Sequence, residues 1–343
     1  MKKNTAVLLS TPNQYTPYFP QSSENELSDR QNGLLIRAHS TIMKRYSKMN
    51  SLLVIQKGTI VYEAYYNKHT PNTLNDLRSA TKSFVSSLAG IAMKNGHFPD
   101  LDMRVKEALN RVLPTGYDPY LDTLTVRHLL TMSTGMKWLT GSRLGEPWIR
   151  RFHHSRSWTA FALCLPIIPE DIGSFQYRST DSHLLSVLLT EGCGMDAFTY
   201  ARKHLFEPLQ IEHVAWTSSP EQHSMGHVGL YLTTRDMGKF GLLCLNKGSW
   251  EGQELIPSSW LKDALQPQVK GYPAFGDYGF QWWTGVIDGQ AYSLAHGHGG
   301  QQIYLFPQLD AVIVFTADSK VRRWRNPRPL LEQYILPALA LDN

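Results

Sequence analysis

The sequence predicts an α+β fold: one antiparallel sheet flanked by terminal helices and interrupted by an inserted all-helical domain. Three observations carry this prediction. Strand-like runs cluster at the two ends of the chain, in residues 51–67 and 278–318. Helical periodicity dominates residues 100–215. Amphipathic helical segments open and close the globular part, at residues 27–49 and 328–341. Strands at both ends with helices between them form one sheet only if the middle is an insertion. The boundaries that follow are an irregular lead-in at 1–25, a sheet domain from 26–99 and 216–343, and a helical domain at 100–215.

Taken in order, "LSDRQNGLLIRAHSTIMKRYSKM" places Leu34, Leu35, Ala38, Ile42 and Met43 at helical spacing. "SLLVIQKGTIVYEAYYN" is two β-rich runs around Lys57-Gly58, a hairpin signal. After Ser79, apolar residues recur at Phe84, Val85, Leu88, Ile91 and Ala92, and Asn95-Gly96 ends the helix. "VKEALNRVL", "LTVRHLLTM" and "STDSHLLSVLLTEG" carry the helical middle. "TTRDMGKFGLLCLNKG" and "PSSWLKDAL" are helical again, and then "YGFQWWTGV", "AYSLAHGH", "QQIYLFP" and "DAVIVFTAD" arrive as short strands between turn residues. "RPLLEQYILPALAL" is the helical return.

At 343 residues the chain exceeds one ordinary compact domain, and 42% hydrophobic with 18% charged residues describes a globular protein. No repeat or low-complexity tract is visible. The opening "MKKNTAVLLSTPNQYTP" has an apolar run only from Ala6 to Leu9, too brief for a signal-peptide core or a membrane span. A cytoplasmic location is therefore expected, unless a leader has been trimmed. Cys164, Cys193 and Cys244 are odd in number and scattered, which argues against a disulfide framework and excludes a four-cysteine metal site. They are expected as small core residues. Net charge is +5, densest in "KVRRWRNPRP" at 320–329. One such run without a nucleic-acid motif is expected to be a solvated face, so no nucleic-acid partner is expected.

The chemistry begins at "RSATKSF", residues 78–84. Residues three apart on a helix share a face, so Lys82 Nζ can reach Ser79 Oγ. A serine hydroxyl is a poor nucleophile until a base takes its proton, and a lysine does so when burial or nearby positive charge lowers its pKa. The helix start also aims a backbone N–H at negative charge developing on a substrate oxygen. Two companions follow. In "GSFQYRSTDSHLLSVLL", Tyr177 and Ser179 precede an amphipathic helix, and a tyrosine near a lysine can relay a proton. In "AHGHGGQQIYLFP", glycines beside a strand let backbone approach a substrate.

With "SATK" these stretches resemble the serine β-lactamase and penicillin-binding-protein superfamily, in its class C-like branch of esterases, D-amino-acid peptidases and 6-aminohexanoate-dimer hydrolases. "LTVRHLLTMSTGMKW" and "GLYLTTRDMGKFGLLCLNKGSWEGQELI" are similar to family segments, "FQYRSTDSHLL" takes the Tyr-x-Asn place, and "HGHGGQ" takes that of the Lys-Thr-Gly strand. The similarity spans about residues 50–340 and implies a β-lactamase/transpeptidase-like fold with the active site between the two domains. It implies Ser79 as the acylated nucleophile, Lys82 as its base and Tyr177 as the proton shuttle. Ser179 then stands where the family has an asparagine that holds the substrate amide. The oxyanion hole combines the Ser79 N–H with one at Gly300 or Gln301. Either Gly297 or His298, followed by Gly299, takes the lysine place.

Histidine is a weaker, pH-dependent substitute for that lysine, and Ser179 reaches less far than asparagine. Both departures point to a small-molecule ester or linear amide, with the 6-aminohexanoate-dimer hydrolase branch nearest. No cofactor or metal is required. The other readings are β-lactamase activity, D-alanyl peptidase activity, which the lack of an evident export signal disfavours, and a binding homologue with weak or lost turnover. Retention of Ser79, Lys82 and Tyr177 together argues against the last. His153-His154 and His296-x-His298 raise zinc, but without a zinc-hydrolase motif or a cysteine pair. Residues 151–154 are expected as a polar patch. Glu146 in "GEPW" raises a deacylation base as in class A enzymes, but its neighbours lack that class's pattern and it is expected as part of a loop. Trp138, Trp148, Trp158 and "YGFQWW" are expected as core packing or an aromatic wall around an acyl group.

Overall fold

The hairpin about Lys57-Gly58 forms as expected in the computed structural model of the protein, which describes residues 5–7 and 28–340. Strands β1 (Met49–Gln56) and β2 (Thr59–Tyr65) meet at a turn where Lys57 and Gly58 both have positive φ, +50° and +74°. That backbone matches the right-handed twist of the flanking strands. Before it, α1 (Asp29–Arg45) starts on a reciprocal cap: Ser28 Oγ accepts the Gln31 N–H, and Gln31 Oε1 accepts the Ser28 N–H at 2.7 Å. The helix buries Leu35, Ala38 and Ile42 and leaves Met43 exposed.

The serine turn leads into α2 (Thr81–Lys94), which ends at Asn95 and a left-handed Gly96, as the sequence predicts. Later in the chain come α3 (Ser179–Cys193) and α4 (Thr234–Leu245). The carboxyl-terminal strands are β3 (Asp277–Tyr278), β4 (Trp283–Ile287), β5 (Gln290–Gly297), β6 (Gln301–Phe306) and β7 (Ala311–Ala317). They join the hairpin in a seven-stranded sheet of order β3-β4-β5-β6-β7-β1-β2, every pair antiparallel. The run "YGFQWWTGV" is split between β3 and β4 by Gln281 at φ +63°.

Alternation along the strands sorts the core into two layers. Leu53, Ile55, Ile303, Leu305, Val312 and Val314 face α2 and α4. Leu52, Val54, Tyr304, Phe306, Ile313 and Phe315 face α1 and the helical return at 328–339. On α4, a Cβ at Gly241 would stand 2.5 Å from a Val312 methyl, so glycine sets how closely helix and sheet approach.

The regular structure of residues 100–215 is mainly helical, and the span extends the α2 side of the core. Within it α3 is buried from Ser179 through Leu189. One departure is an antiparallel pair, Thr134–Met136 with Ile167–Ile172. The lead-in at 1–25 lies outside the described residues except for Thr5–Val7. There the expected irregular segment is a strand, paired with Ala215–Thr217 in a second, four-stranded sheet. Of the cysteines only Cys244 is the buried core residue expected; Cys164 is exposed and Cys193 half-buried. No helix among the described residues is long and apolar enough to cross a membrane.

Candidate active site

Ser79 sits on a single 3-10 turn, Arg78–Ala80, that feeds α2. Arg78 holds φ +49°, uncommon for a residue with a side chain. Asp76 stabilises it by accepting the Arg78 backbone N–H at 3.0 Å and by forming an ion pair with its guanidinium at 3.1 Å. The turn brings Ser79 to the mouth of a cleft of about 400 Å³. One turn later Lys82 is 1% exposed, its Nζ 3.1 Å from Ser79 Oγ, 3.3 Å from Ser179 Oγ and 3.1 Å from the His227 carbonyl oxygen. Burial pulls its pKa down to about 8, with Glu146 opposing that shift.

Tyr177 completes the group. Its side chain lines the same cleft as Ser79, and Lys82 Nζ lies 4.8 Å from the centre of its ring. Burial, with the Glu146 charge adding to it, pushes the phenol well above its ordinary pKa. The ring stacks on Trp283 at 5.9 Å, and the Tyr177 N–H donates to the Tyr272 hydroxyl at 3.1 Å. Behind it Arg178 and Asp181 form a fully buried ion pair at 2.8 Å, tied in by Thr134. This pair fixes the start of α3, and with it the side chains of Tyr177 and Ser179.

Sequence reasoning places Glu146 in a loop, and a loop it is, but the carboxylate points into the site. Oε1 accepts the Ser179 N–H and the Trp138 indole N–H, each at 2.7 Å, and Oε2 accepts the Ser179 hydroxyl at 2.5 Å. A carboxylate is favoured there because Ser179 is the first residue of α3, where unsatisfied N–H groups gather.

The residues of the glycine run meet different neighbours. The close approach to the serine turn belongs to Gly297, where a Cβ would stand 2.2 Å from the Leu77 carbonyl oxygen and 3.2 Å from the Ala80 nitrogen. Gly299 instead abuts the Asp318 backbone, Gly300 abuts Ala317 and Trp324, and the Gln301 side chain donates to the Ala317 carbonyl at 2.5 Å. Those three residues hold the β5–β6 turn against the end of β7. His298 is exposed and its Nε2 meets the Val321 carbonyl oxygen at 2.7 Å, whereas His296 is buried against Gln302 with its pKa lowered to about 4.

Residues 151–154 are not simply a surface patch. Phe152 is fully buried, and His153 Nε2 lies 2.8 Å from Nε2 of His227, whose carbonyl holds Lys82. His183 and His223 complete a buried cluster with Trp158. Burial drives His183 down to about 3 and lowers His223 and His227 as well. Among the described residues no group of three or more His, Cys, Asp or Glu could hold a metal ion.

The histidine cluster predicts acid sensitivity. A histidine whose folded pKa is lowered takes up its proton only on unfolding, so stability is present above the unfolded pKa near 6.5 and is lost as pH falls below it. Each such residue costs up to about 1.4 kcal/mol per pH unit. Both ring nitrogens of His183 lack a hydrogen-bond partner. His183→Leu is therefore expected to unfold less readily than wild type at pH 5, with the gap closing by pH 7. Parallel melting-temperature curves for the two proteins across that window contradict this.

The cleft is lined by Ser79, Tyr177, Phe275, His296, His298 and Trp324, with Arg143, Arg322 and Arg323 at its rim. Lys320, Arg322, Arg323 and Arg325 are exposed, as expected of a solvated face, and Arg322 and Arg323 also border the cleft that holds Ser79. Trp138, Trp148 and Trp158 lie outside the cleft lining: the first two pack edge to face at 5.9 Å beside Glu146, and Trp158 stacks on His153.

A buried lysine thus stands 3.1 Å from a serine hydroxyl on a turn packed against the antiparallel sheet. The chain belongs to the beta-lactamase family, whose model matches residues 48–331. It is 26% identical over 168 residues to the 6-aminohexanoate-dimer hydrolase of Paenarthrobacter ureafaciens, a match over 45% of this chain and 41% of that protein. The chain spans less than two thirds of the length of the curated relatives it matches. A Bacillus anthracis structure provisionally described as a 6-aminohexanoate-dimer hydrolase superposes with TM-score 0.74 at 19% identity, covering 99% of this chain and 92% of that one. The octameric penicillin-binding protein homologue of Pyrococcus abyssi gives 0.70 at 18% identity, over 91% and 77%. These two likenesses define the fold. The family and the curated relative are of the hydrolase class.

Proposed function

We propose that the protein is a serine hydrolase acting on an ester or a linear amide through a covalent acyl-serine intermediate. One observation carries the reading: a fully buried lysine amine, lowered to about pKa 8, stands 3.1 Å from a serine hydroxyl that opens onto a cleft. A lysine so placed is a general base near neutral pH.

Lys82 takes the Ser79 proton as Oγ bonds to the substrate carbonyl carbon. The carbonyl electrons move onto oxygen, held by the Ser79 N–H and a second backbone donor. For that donor we assign His298. The Gly297 carbonyl turns toward β6, where it accepts the Gly300 N–H, and successive strand residues present their N–H groups to opposite sides. His298 is the first residue past the end of β5, on a stretch that β4 leaves uncovered because their pairing stops at Leu294. Collapse of the tetrahedral adduct expels alcohol or amine, which takes a proton from the Tyr177 hydroxyl, and Lys82 returns its proton to Tyr177. Water then repeats the sequence on the acyl-serine and frees the acid.

The arginines at the rim favour an acyl donor that carries a carboxylate. The test is a panel of neutral and carboxylated nitrophenyl esters, a linear amide oligomer and a cephalosporin, each run with wild type and Ser79→Ala. Ester or linear-amide hydrolysis lost in the variant is the expected result, with lower KM for the carboxylated ester. Turnover of the cephalosporin alone, stable binding without turnover, or ester hydrolysis unchanged in the variant overturns the reading.

A further inference from the structure

Three neighbours surround Lys82 Nζ, and their hydrogen-bonding capacities differ. The His227 carbonyl oxygen, 3.1 Å away, can only accept. Ser79 Oγ, also 3.1 Å away, can donate or accept. Ser179 Oγ, at 3.3 Å, could do either on its own, but its single proton is already committed. A carboxylate only accepts, and Glu146 Oε2 lies 2.5 Å from that oxygen, so the Ser179 O–H points at Glu146 and leaves only lone pairs for Lys82. Glu146 is itself held in place by the Ser179 and Trp138 N–H groups on its other oxygen.

We propose that Glu146 is a positioning residue that locks Ser179 as an acceptor and so aims the lone pair of the neutral Lys82 amine at the Ser79 hydroxyl. A neutral amine has two N–H bonds and one lone pair. Two of its three neighbours demand an N–H, and the third, the one that can donate, receives the lone pair. When Lys82 takes the Ser79 proton, all three N–H groups of the resulting ammonium have acceptors without any side chain moving. The inference rests on the reading of Lys82 as base to Ser79. It also explains how a serine serves where the resemblance leads one to expect asparagine: the shorter side chain needs the loop carboxylate to define its direction.

Glu146→Gln keeps the shape and the oxygen that accepts the two N–H groups, but sets an amide N–H against Ser179 Oγ. The Ser179 proton then turns to Lys82 and occupies the lone pair Ser79 needs. The expected result with a nitrophenyl ester is a fall in kcat of about 10- to 100-fold, part of the full contribution of a general base, with little change in KM. The acid limb of the rate profile also moves to lower pH, because the Glu146 charge no longer opposes the effect of burial on Lys82. The other titratable groups around the amine are Tyr177 at the entry of α3, His227 before Leu230 and His296 on β5, and all three remain in the variant.

A purely structural role would lower the rate equally at every pH and leave the limb in place. In a Ser179→Ala background the further substitution Glu146→Gln is expected to change kcat by less than about 2-fold, since residues acting as a unit are not additive. If Glu146→Gln does not fold, Ser179→Thr against Ser179→Ala decides: the proposal expects threonine to keep most of the activity and alanine to lose it. Wild-type rate and limb in Glu146→Gln, its full effect persisting in Ser179→Ala, or equal activity of the Thr and Ala variants overturns the inference while the acyl-serine reading stands. A wild type that turns over ester with no adduct on Ser79 overturns that reading and this inference together.

Discussion

Ser79→Ala is expected to lower hydrolysis of a nitrophenyl ester by at least about 1,000-fold while the fold melts as in wild type. The substitution removes one oxygen from a half-exposed turn that Asp76 and the Gly297 contact hold independently of the hydroxyl. Stability has little reason to change, whereas the atom proposed to form the acyl bond is gone. Residual activity measures only what the backbone donors and the cleft contribute to attack by water. Initial rates on the two proteins, with a thermal melt of each, make the comparison, and a variant within 10-fold of wild type contradicts the assignment.

Lys82→Met carries the second large effect. Methionine is unbranched and fills much of the same buried volume, but has no amine. Loss of the base is expected to reduce the acylation rate by about 100- to 10,000-fold. The pH dependence is the sharper reading. The base works when neutral, so wild-type kcat/KM is expected to rise with pH through about 8 and then level off. That limb disappears in Lys82→Met. Profiles from pH 6 to 10 show whether it does, and a limb near 8 that survives in the variant assigns the titration to another group.

What the sequence made legible was local. Ser79 and Lys82 are three residues apart, and helical geometry alone brings them together. The strands of the main sheet announced themselves through β-branched and aromatic residues between turns, and Lys57-Gly58 through its turn chemistry. The sequence puts Glu146 in a loop because its neighbours lack the pattern of a class A deacylation base; its partner Ser179 is 33 positions away, and only the fold joins them. His153 and His227, 74 positions apart, were hidden for the same reason.

The pair Thr134–Met136 and Ile167–Ile172 escaped notice on composition. One strand is three residues long with Gly135 at φ +67°, and the other contains Pro169, Glu170 and Asp171, all poor strand formers. The register of the glycine run could not be read from its letters either. What singles out Gly297 is the Leu77 carbonyl pressed against it, a contact between segments more than 200 residues apart in the chain.

The central claim is that Ser79 carries the acyl group. Wild type mixed with a nitrophenyl ester, quenched in acid during the burst and digested for mass spectrometry, measures this directly. The account predicts one acyl mass added to the peptide that contains Ser79, absent from Ser79→Ala. An adduct on any other residue, or steady turnover with no adduct and no burst, contradicts it.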